Sequence, residues 1–249
     1  MYPKERTDRI MEILRKNGYV TVKYLVEILH YSNATINRDL NILENLNLIK
    51  RSYGGAELAE ITSIPLEFRY QKMKSVKRKL AKFAAEIIDD GDTVLIDGST
   101  TCEGMGAFIA EKKDVTVITN NMLLAENLSE YGVCTICSGG NIVEVPNMLG
   151  GEDAVRTAMR YKTDKMFFST WMFNEIGEIG ESSSIYTLFR EAAMSNADKV
   201  YYLADHSKLN AEAKYTVADF SDISAVITDY VFDNEIKQKF SETIFYEVE

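Results

Sequence analysis

The chain has 249 residues, a length that accommodates one or two domains with real hydrophobic cores. Its 46% hydrophobic and 27% charged residues exclude a disordered chain, and three cysteines exclude a disulfide framework and point to a reducing, cytoplasmic setting. Every apolar run falls short of a membrane span, MYPKERTDRI lacks the apolar core of a signal peptide, and the net charge of −10, taken whole, argues against a polyanionic partner.

The charge is not spread evenly. Residues 1–82 carry 16 Lys and Arg against 9 Asp and Glu, a net of +7, and the remainder carries 12 against 29, a net of −17. Such a split predicts a basic module joined to an acidic one. Ile10, Ile13 and Leu14 form an apolar stripe between Asp8 and Lys16 that Asn17-Gly18 terminates. Thr21 caps a second helix with apolar Val22, Leu25, Val26, Ile28 and Leu29, and His30-Tyr31 makes the turn. Ser32 caps a third helix whose core face is Ile36, Leu40 and Leu43, at i, i+4, i+7, and whose other face presents Asn33, Asn37, Arg38 and Asn41. Leu48–Ser52 reads as a strand, Tyr53-Gly54-Gly55 as a tight turn and Ala56–Ala59 as the returning strand.

Two helices, a short turn, a third helix and a basic hairpin make the winged helix-turn-helix arrangement, which seats its third helix in the DNA major groove. Ser32 and the helix-start amides suit a phosphate, Arg38 a guanine edge or phosphate, Asn37 adenine or backbone, and Lys50 and Arg51 the phosphates beside the wing. With Thr35, Asn41 and Gly54 these complete the candidate DNA-contacting set.

Residues 66–90, after Ile64-Pro65, read as one or two helices carrying Lys72, Lys74, Lys77, Arg78, Lys79 and Lys82, with Lys77 the one expected to turn inward. From Gly91 strands and helices alternate. Strands are expected at 93–96, 115–119, 133–137, 165–169, 199–204 and 225–228, and helices up to Ala110, up to Glu130, and near 153–161 and 184–196. That alternation predicts an open, largely parallel α/β sheet, which binds ligands outside the carboxyl ends of its strands. Three such ends are built from small polar residues: Asp97-Gly98-Ser99-Thr100-Thr101, Thr119-Asn120-Asn121 and Ser138-Gly139-Gly140-Asn141. Hydroxyls and free amides there suit a phosphate, with Lys77, Lys208 and Lys214 as counter-charges. Asp97 would repel phosphate, so it is expected to accept from a sugar hydroxyl or hold its loop.

The run Ser32–Leu40 (SNATINRDL), Leu43-Glu44, Ile49-Lys50-Arg51 and Gly54-Gly55-Ala56 resembles the signature of the deoxyribose-operon-repressor (DeoR-type) regulators, S-x-x-T-I-R-R-D-L-x-x-L-E-x-x-G-x-I-x-R-x-x-G-G-A. Asn37 stands where that pattern has the first of two Arg, and Asn47 where it has Gly. The resemblance continues through Lys77, Gly91-Asp92-Thr93, Asp97–Thr101, Thr119–Asn121, Gly139-Gly140, Asp164, Asp205-His206-Ser207-Lys208 and Ile227-Thr228-Asp229. Gly98 and Ser99 are in swapped places relative to the family loop D-x-G-T/S-T, and His206 replaces a Ser of D-S-S-K. The resemblance implies a winged helix-turn-helix domain (1–60), a linker helix region (61–90) packing on the sensor, and a ribose-phosphate-isomerase-like α/β effector-sensing domain (91–249) with a mostly parallel sheet. It also implies Asp205 beside the effector, a phosphorylated sugar or derivative.

An isomerase of that fold, carrying an accessory N-terminal domain, is the alternative. It needs an acidic run after the fourth strand, and here Ser169-Thr170-Trp171-Met172-Phe173 follows instead, leaving Trp171 and Phe173 to pack over the ligand or between subunits. Glu181 and Glu191 read as solvated. Cys134 and Cys137 lack a second pair for zinc and read as buried strand residues. The expectation is a homo-oligomeric regulator of double-stranded operator DNA, read as a repressor, without catalytic residues, metal or cofactor.

Overall fold

The computed structural model describes residues 3–45, 48–52, 54–58, 66–144 and 147–249. They form two units, Met1–Gln71 and Lys72–Glu249. Asn47, Tyr53, Ala59, Ile64 and Pro65, named above, lie outside the described residues.

The first unit runs α1 (Pro3–Asn17), β1 (Tyr19–Thr21), α2 (Val22–Leu29), α3 (Asn33–Asn45), β2 (Ile49–Ser52), β3 (Gly55–Leu58) and α4 (Leu66–Gln71). Four of the helix boundaries have a local cause. Gly18 (φ +72°) ends α1, Thr21 Oγ1 accepts the Tyr24 N–H at the start of α2, and His30, at φ 57°, closes α2 in the left-handed region. Ser32 Oγ accepts the Thr35 N–H at 3.1 Å. Ile10, Leu14, Leu25, Ile36 and Leu40 are fully buried together, whereas Ile28, read as part of the apolar set, is 44% exposed. Arg6 and Asp39 are buried and paired through two hydrogen bonds that tie α1 to α3. β1 was not legible as a strand, because its three residues exist as one only by pairing with β3 (Val20 opposite Ala56).

The second unit opens with α5 (Lys74–Glu86) and β4 (Thr93–Ile96), then α6 (Gly106–Ile109), β5 (Thr116–Thr119), α7 (Met122–Glu130) and β6 (Cys134–Cys137). A hairpin of β7 (Asn141–Glu144) and β8 (Met148–Gly150) leads to α8 (Glu152–Arg160) and β9 (Thr163–Phe168). Then follow β10 (Met172–Phe173), β11 (Glu178–Glu181), α9 (Ser184–Met194), β12 (Ala197–Ala204), β13 (Tyr215–Asp219), β14 (Ala225–Thr228), α10 (Asn234–Lys239) and β15 (Ile244–Glu247). Seven of these strands form one parallel sheet in the order β15-β14-β12-β9-β4-β5-β6.

Along its central strands alternate residues face opposite cores, as pleating demands. Val200, Tyr202 and Ala204 join the core under α8 and α9, while Tyr201 and Leu203 join that under α5 and α7. Leu80, Ala81, Ala84 and Ala85 place α5 on the second face. Three expectations are corrected here. Cys134 and Cys137 are exposed, because β6 is an edge strand with a neighbour on one side only. Phe173 is a core residue against Tyr202, Tyr230 and Phe232, not a ligand cover. Glu181 is 4% exposed rather than solvated, because Arg190 meets it inside. The β7–β8 hairpin, the small antiparallel sheet β10-β11-β13 and β15 were also unanticipated.

Candidate functional site

In the first unit, α3 presents Asn33, Arg38 and Asn41 to solvent, with Asn37 half-buried. Ser32 is exposed, and its hydroxyl bonds both the Thr35 N–H and, at 2.9 Å, the Thr35 hydroxyl. Lys50 is exposed on β2, and Gly54, at φ +77°, turns β2 into β3. Arg51 does not extend outward. Its Nη1 donates to Asn41 Oδ1 at 2.6 Å and its Nη2 to Asn37 Oδ1, so the wing strand is tied onto α3. This cluster brings wing and helix residues into one polar surface.

In the second unit, the chain moves from β4 to β5 and β6 on one side, then returns to β9 on the other. The crevice outside the carboxyl ends of β4 and β9 is therefore the topological switch point, where an open α/β sheet accepts ligands. Asp97 follows β4. Its Oδ1 accepts the Ser99 N–H at 3.1 Å and its Oδ2 accepts Arg190 Nε at 2.8 Å. Arg190 Nη1 also donates to Glu181 Oε2 at 2.6 Å. Burial lowers the Arg190 pKa, but the charges of Asp97 and Glu181 outweigh it, so the guanidinium stays ionised between two carboxylates. Asp97 is thus bonded both to its own loop, through Ser99, and to α9, through Arg190.

The loop's hydroxyls face ammonium groups. Lys77 Nζ, carried on α5 and buried, donates to Thr100 Oγ1 at 2.9 Å. Lys208 Nζ donates to Ser169 Oγ at 2.6 Å and the Thr170 carbonyl at 2.7 Å, with Thr101 Oγ1 at 3.4 Å. Burial lowers the Lys208 pKa against the pull of Asp205. Burial also pushes the Asp205 carboxyl up, but Lys208, two bonds from Ser207 and then Lys77 bring it below the usual carboxylate range.

The remaining strand ends divide. Asn120 Nδ2 donates to the Leu149 carbonyl at 2.8 Å, while its buried Oδ1 has no hydrogen-bond partner among the described residues. Asn120 also lines a narrow crevice together with Asp97, Met148, Tyr186, Phe189 and Arg190. Thr119 and Asn121 are committed to the loop: Thr119 Oγ1 accepts the Asn121 N–H at 3.0 Å, and Asn121 caps α7 through the Leu124 N–H. Gly139 and Gly140 are exposed beside edge strand β6, where Gly140 adopts φ +120° and a Cβ would lie 2.4 Å from the Gly150 carbonyl. Lys214 is exposed on the β13 side and makes no side-chain bond to the strand-end loops among the described residues. His206 is exposed, with Nδ1 2.6 Å from Asp229 Oδ2. The swapped Gly98 has a packing cause: a Cβ there would sit 2.6 Å from Met148 Cγ and Sδ.

Sequence reasoning missed Arg190, Glu181, Met148 and Ser169. A signal for Arg190 existed. Tyr186, Phe189, Arg190 and Ala193 share one i, i+3, i+4, i+7 stripe of α9, and an Arg on a buried stripe requires buried carboxylates.

A winged helix with an exposed polar surface carrying Arg38 and Lys50, followed by an α/β body with polar groups at its switch point, defines a DNA-reading regulator with a small-molecule sensor. Residues 6–62 match the DeoR-like helix-turn-helix domain and residues 72–230 the DeoR C terminal sensor domain. The chain belongs to the DeoR family of DNA-binding transcriptional regulators. It is 31% identical to the HTH-type transcriptional repressor GlcR of Bacillus subtilis (strain 168), across 92% of this chain and 89% of that one. It is 29% identical to the lactose phosphotransferase system repressor of Staphylococcus aureus (strain NCTC 8325 / PS 47), across 95% and 96%. Among solved structures it is similar to ribose 5-phosphate isomerase A from Neisseria gonorrhoeae, with 14% identity, TM-score 0.40, and coverage of 55% of this chain and 53% of that one. No helix among the described residues is long and apolar enough to cross a membrane.

Proposed function

We propose that this regulator is a cytoplasmic homo-oligomeric repressor of a sugar-metabolism operon, that it responds to a phosphorylated sugar or sugar derivative, and that it performs no catalysis. The observation that carries the effector reading is the pairing of Lys77 with Thr100 and of Lys208 with Thr101 and Ser169 at the switch point. Ammonium groups and hydroxyls on a strand-to-helix loop suit a phosphate. The buried Oδ1 of Asn120 has no hydrogen-bond partner among the described residues, and a sugar hydroxyl would give that acceptor its missing donor. Relatives named for a lactose phosphotransferase system and as GlcR support a sugar-linked role. Against an isomerase stands the state of the carboxylates near the site. Asp97 and Glu181 are bound to Arg190, and Asp205 sits below the usual carboxylate range, so each is a poor general base. Symmetric pairs are the usual readers of DNA half-sites, which supports the homo-oligomer.

Thermal unfolding of the full chain with a panel of sugar phosphates tests the sensor. A ligand at 100 times its Kd is expected to add about 2.7 kcal/mol, and Lys77→Ala is expected to abolish the gain. The reading fails if no sugar phosphate stabilises the protein, or if Lys77→Ala leaves the gain whole. Conversion of ribose 5-phosphate by the pure protein would overturn the non-catalytic reading.

A further inference from the structure

Asn37 was expected to contact adenine or backbone, and Arg51 the phosphates beside the wing. The geometry redistributes these roles. Bidentate reading of adenine requires one side-chain amide to present both its N–H and its oxygen outward. Asn37 has no N–H to spare: Nδ2 donates to the Asn33 carbonyl at 2.9 Å and to Asn33 Oδ1, and Oδ1 already accepts from Arg51. Arg51 spends two of its five N–H donors on Asn37 and Asn41, leaving Nε–H and one N–H on each terminal nitrogen. Two coplanar N–H groups from such a fork match guanine O6 and N7.

Arg51 is also anchored at its backbone. It lies opposite Ala56 in the hairpin, and its N–H reaches Glu44 Oε1 at 3.4 Å. Asn37 and Asn41 are one turn apart on α3, so the guanidinium they hold lies over the middle of the helix that enters the groove, away from the rim where phosphates run. Among the described residues its side-chain partners are neutral amides, which leave its positive charge unneutralised. The rotamer entropy of a long side chain is already lost in the free protein, which favours recognition.

We propose that Arg51, aimed from the wing strand by Asn37 and Asn41, reads a guanine base edge in the operator, and that Asn37 is its positioning residue. The test is selection of duplexes from a random double-stranded DNA library by the full chain, with sequencing, for wild type, Arg51→Lys and Asn37→Ala. Wild type is expected to enrich a site with an invariant G·C pair. Arg51→Lys keeps the charge and removes the fork, so discrimination at that pair is expected to fall roughly 10- to 100-fold while other positions hold. Asn37→Ala is expected to weaken the same position, and less. The proposal is overturned if Arg51→Lys retains every base preference and only lowers affinity uniformly, as a weakened phosphate interaction would. Should Arg51→Lys melt early, Asn37→Ala decides alone, and an undiminished G·C preference there overturns the proposal. Failure of wild type to enrich any sequence would overturn it at the level of sequence-specific reading itself.

Discussion

Arg190 is the residue on which the sensor loop turns. It is 5% exposed and bonds two carboxylates that are equally buried. Removing one member of such a cluster leaves charge without a partner in a medium that solvates it poorly. Arg190→Met is therefore expected to cost roughly 3–5 kcal/mol, measured by urea unfolding, and adding Asp97→Asn is expected to recover part of it. A loss below about 1 kcal/mol, the scale of an exposed pair, would mean that the cluster is solvated. Asp39 makes the parallel case in the first unit. It stands within the family-like run on α3, yet it is buried against Arg6, so it serves the packing of the reader and not the DNA. In the first unit, Arg38 and Lys50 are exposed. Gel retardation at several salt concentrations is expected to show affinity falling steeply with salt. Arg38→Ala with Lys50→Ala is expected to flatten the slope by about one unit for each phosphate left without its cation. An unchanged slope would remove both residues from the phosphate set.

At the scale of elements, the loops after β4 and β5 and the β7–β8 hairpin are built for each other. Gly98 admits Met148 from β8, and the Leu149 N–H donates to the Asn120 carbonyl at 2.8 Å. Gly98→Ala pushes a methyl into the Met148 side chain, a strain expected to cost roughly 1–3 kcal/mol. Met148→Ala in the same chain is expected to relieve part of that strain, so thermal midpoints of the two single variants should not add. Strict additivity would show that the contact is slack. The loop swap was readable from residues 98 and 99, but its cause lies about fifty residues further along and appears only when β8 is laid on the loop. α3 was the reverse case. Its i, i+4, i+7 spacing, its Ser32 cap and its polar outer face were all legible, because they follow from helical periodicity.

Across the whole molecule, titration should shape stability on both sides of neutrality. Asp205 and Glu247 are held below the usual carboxylate range, the latter by Lys237 and the Phe232 N–H against burial. The unfolded chain takes up protons at these groups first as pH falls. Their contribution is full above roughly pH 5 and declines as pH drops through the ordinary carboxylate range and on through the lowered folded values. Burial pushes the Cys102 thiol well up, so its contribution is present below the ordinary thiol value and is lost as pH rises from roughly 8.5. Urea midpoints from pH 3 to 10 should trace a dome. Asp205→Asn is expected to flatten the acid limb and Cys102→Ala the alkaline one, and unchanged limbs would show that these groups do not carry the linkage.

The charge split, the three helices of the reader with their caps, and the strand-end loops rich in small polar residues were determined by the sequence alone, because each depends on composition or on neighbours within two helical turns. Tertiary structure decided the pairings between distant segments. Arg190 finds Asp97 across 93 positions and Lys208 finds Thr101 across 107. It also decided that β6 is an edge strand, which exposes its cysteines, and that Arg51 leaves the wing for α3. No periodicity encodes such contacts. They arise when folding buries charges and amides that must then find partners, or leaves one side of a strand without a neighbour.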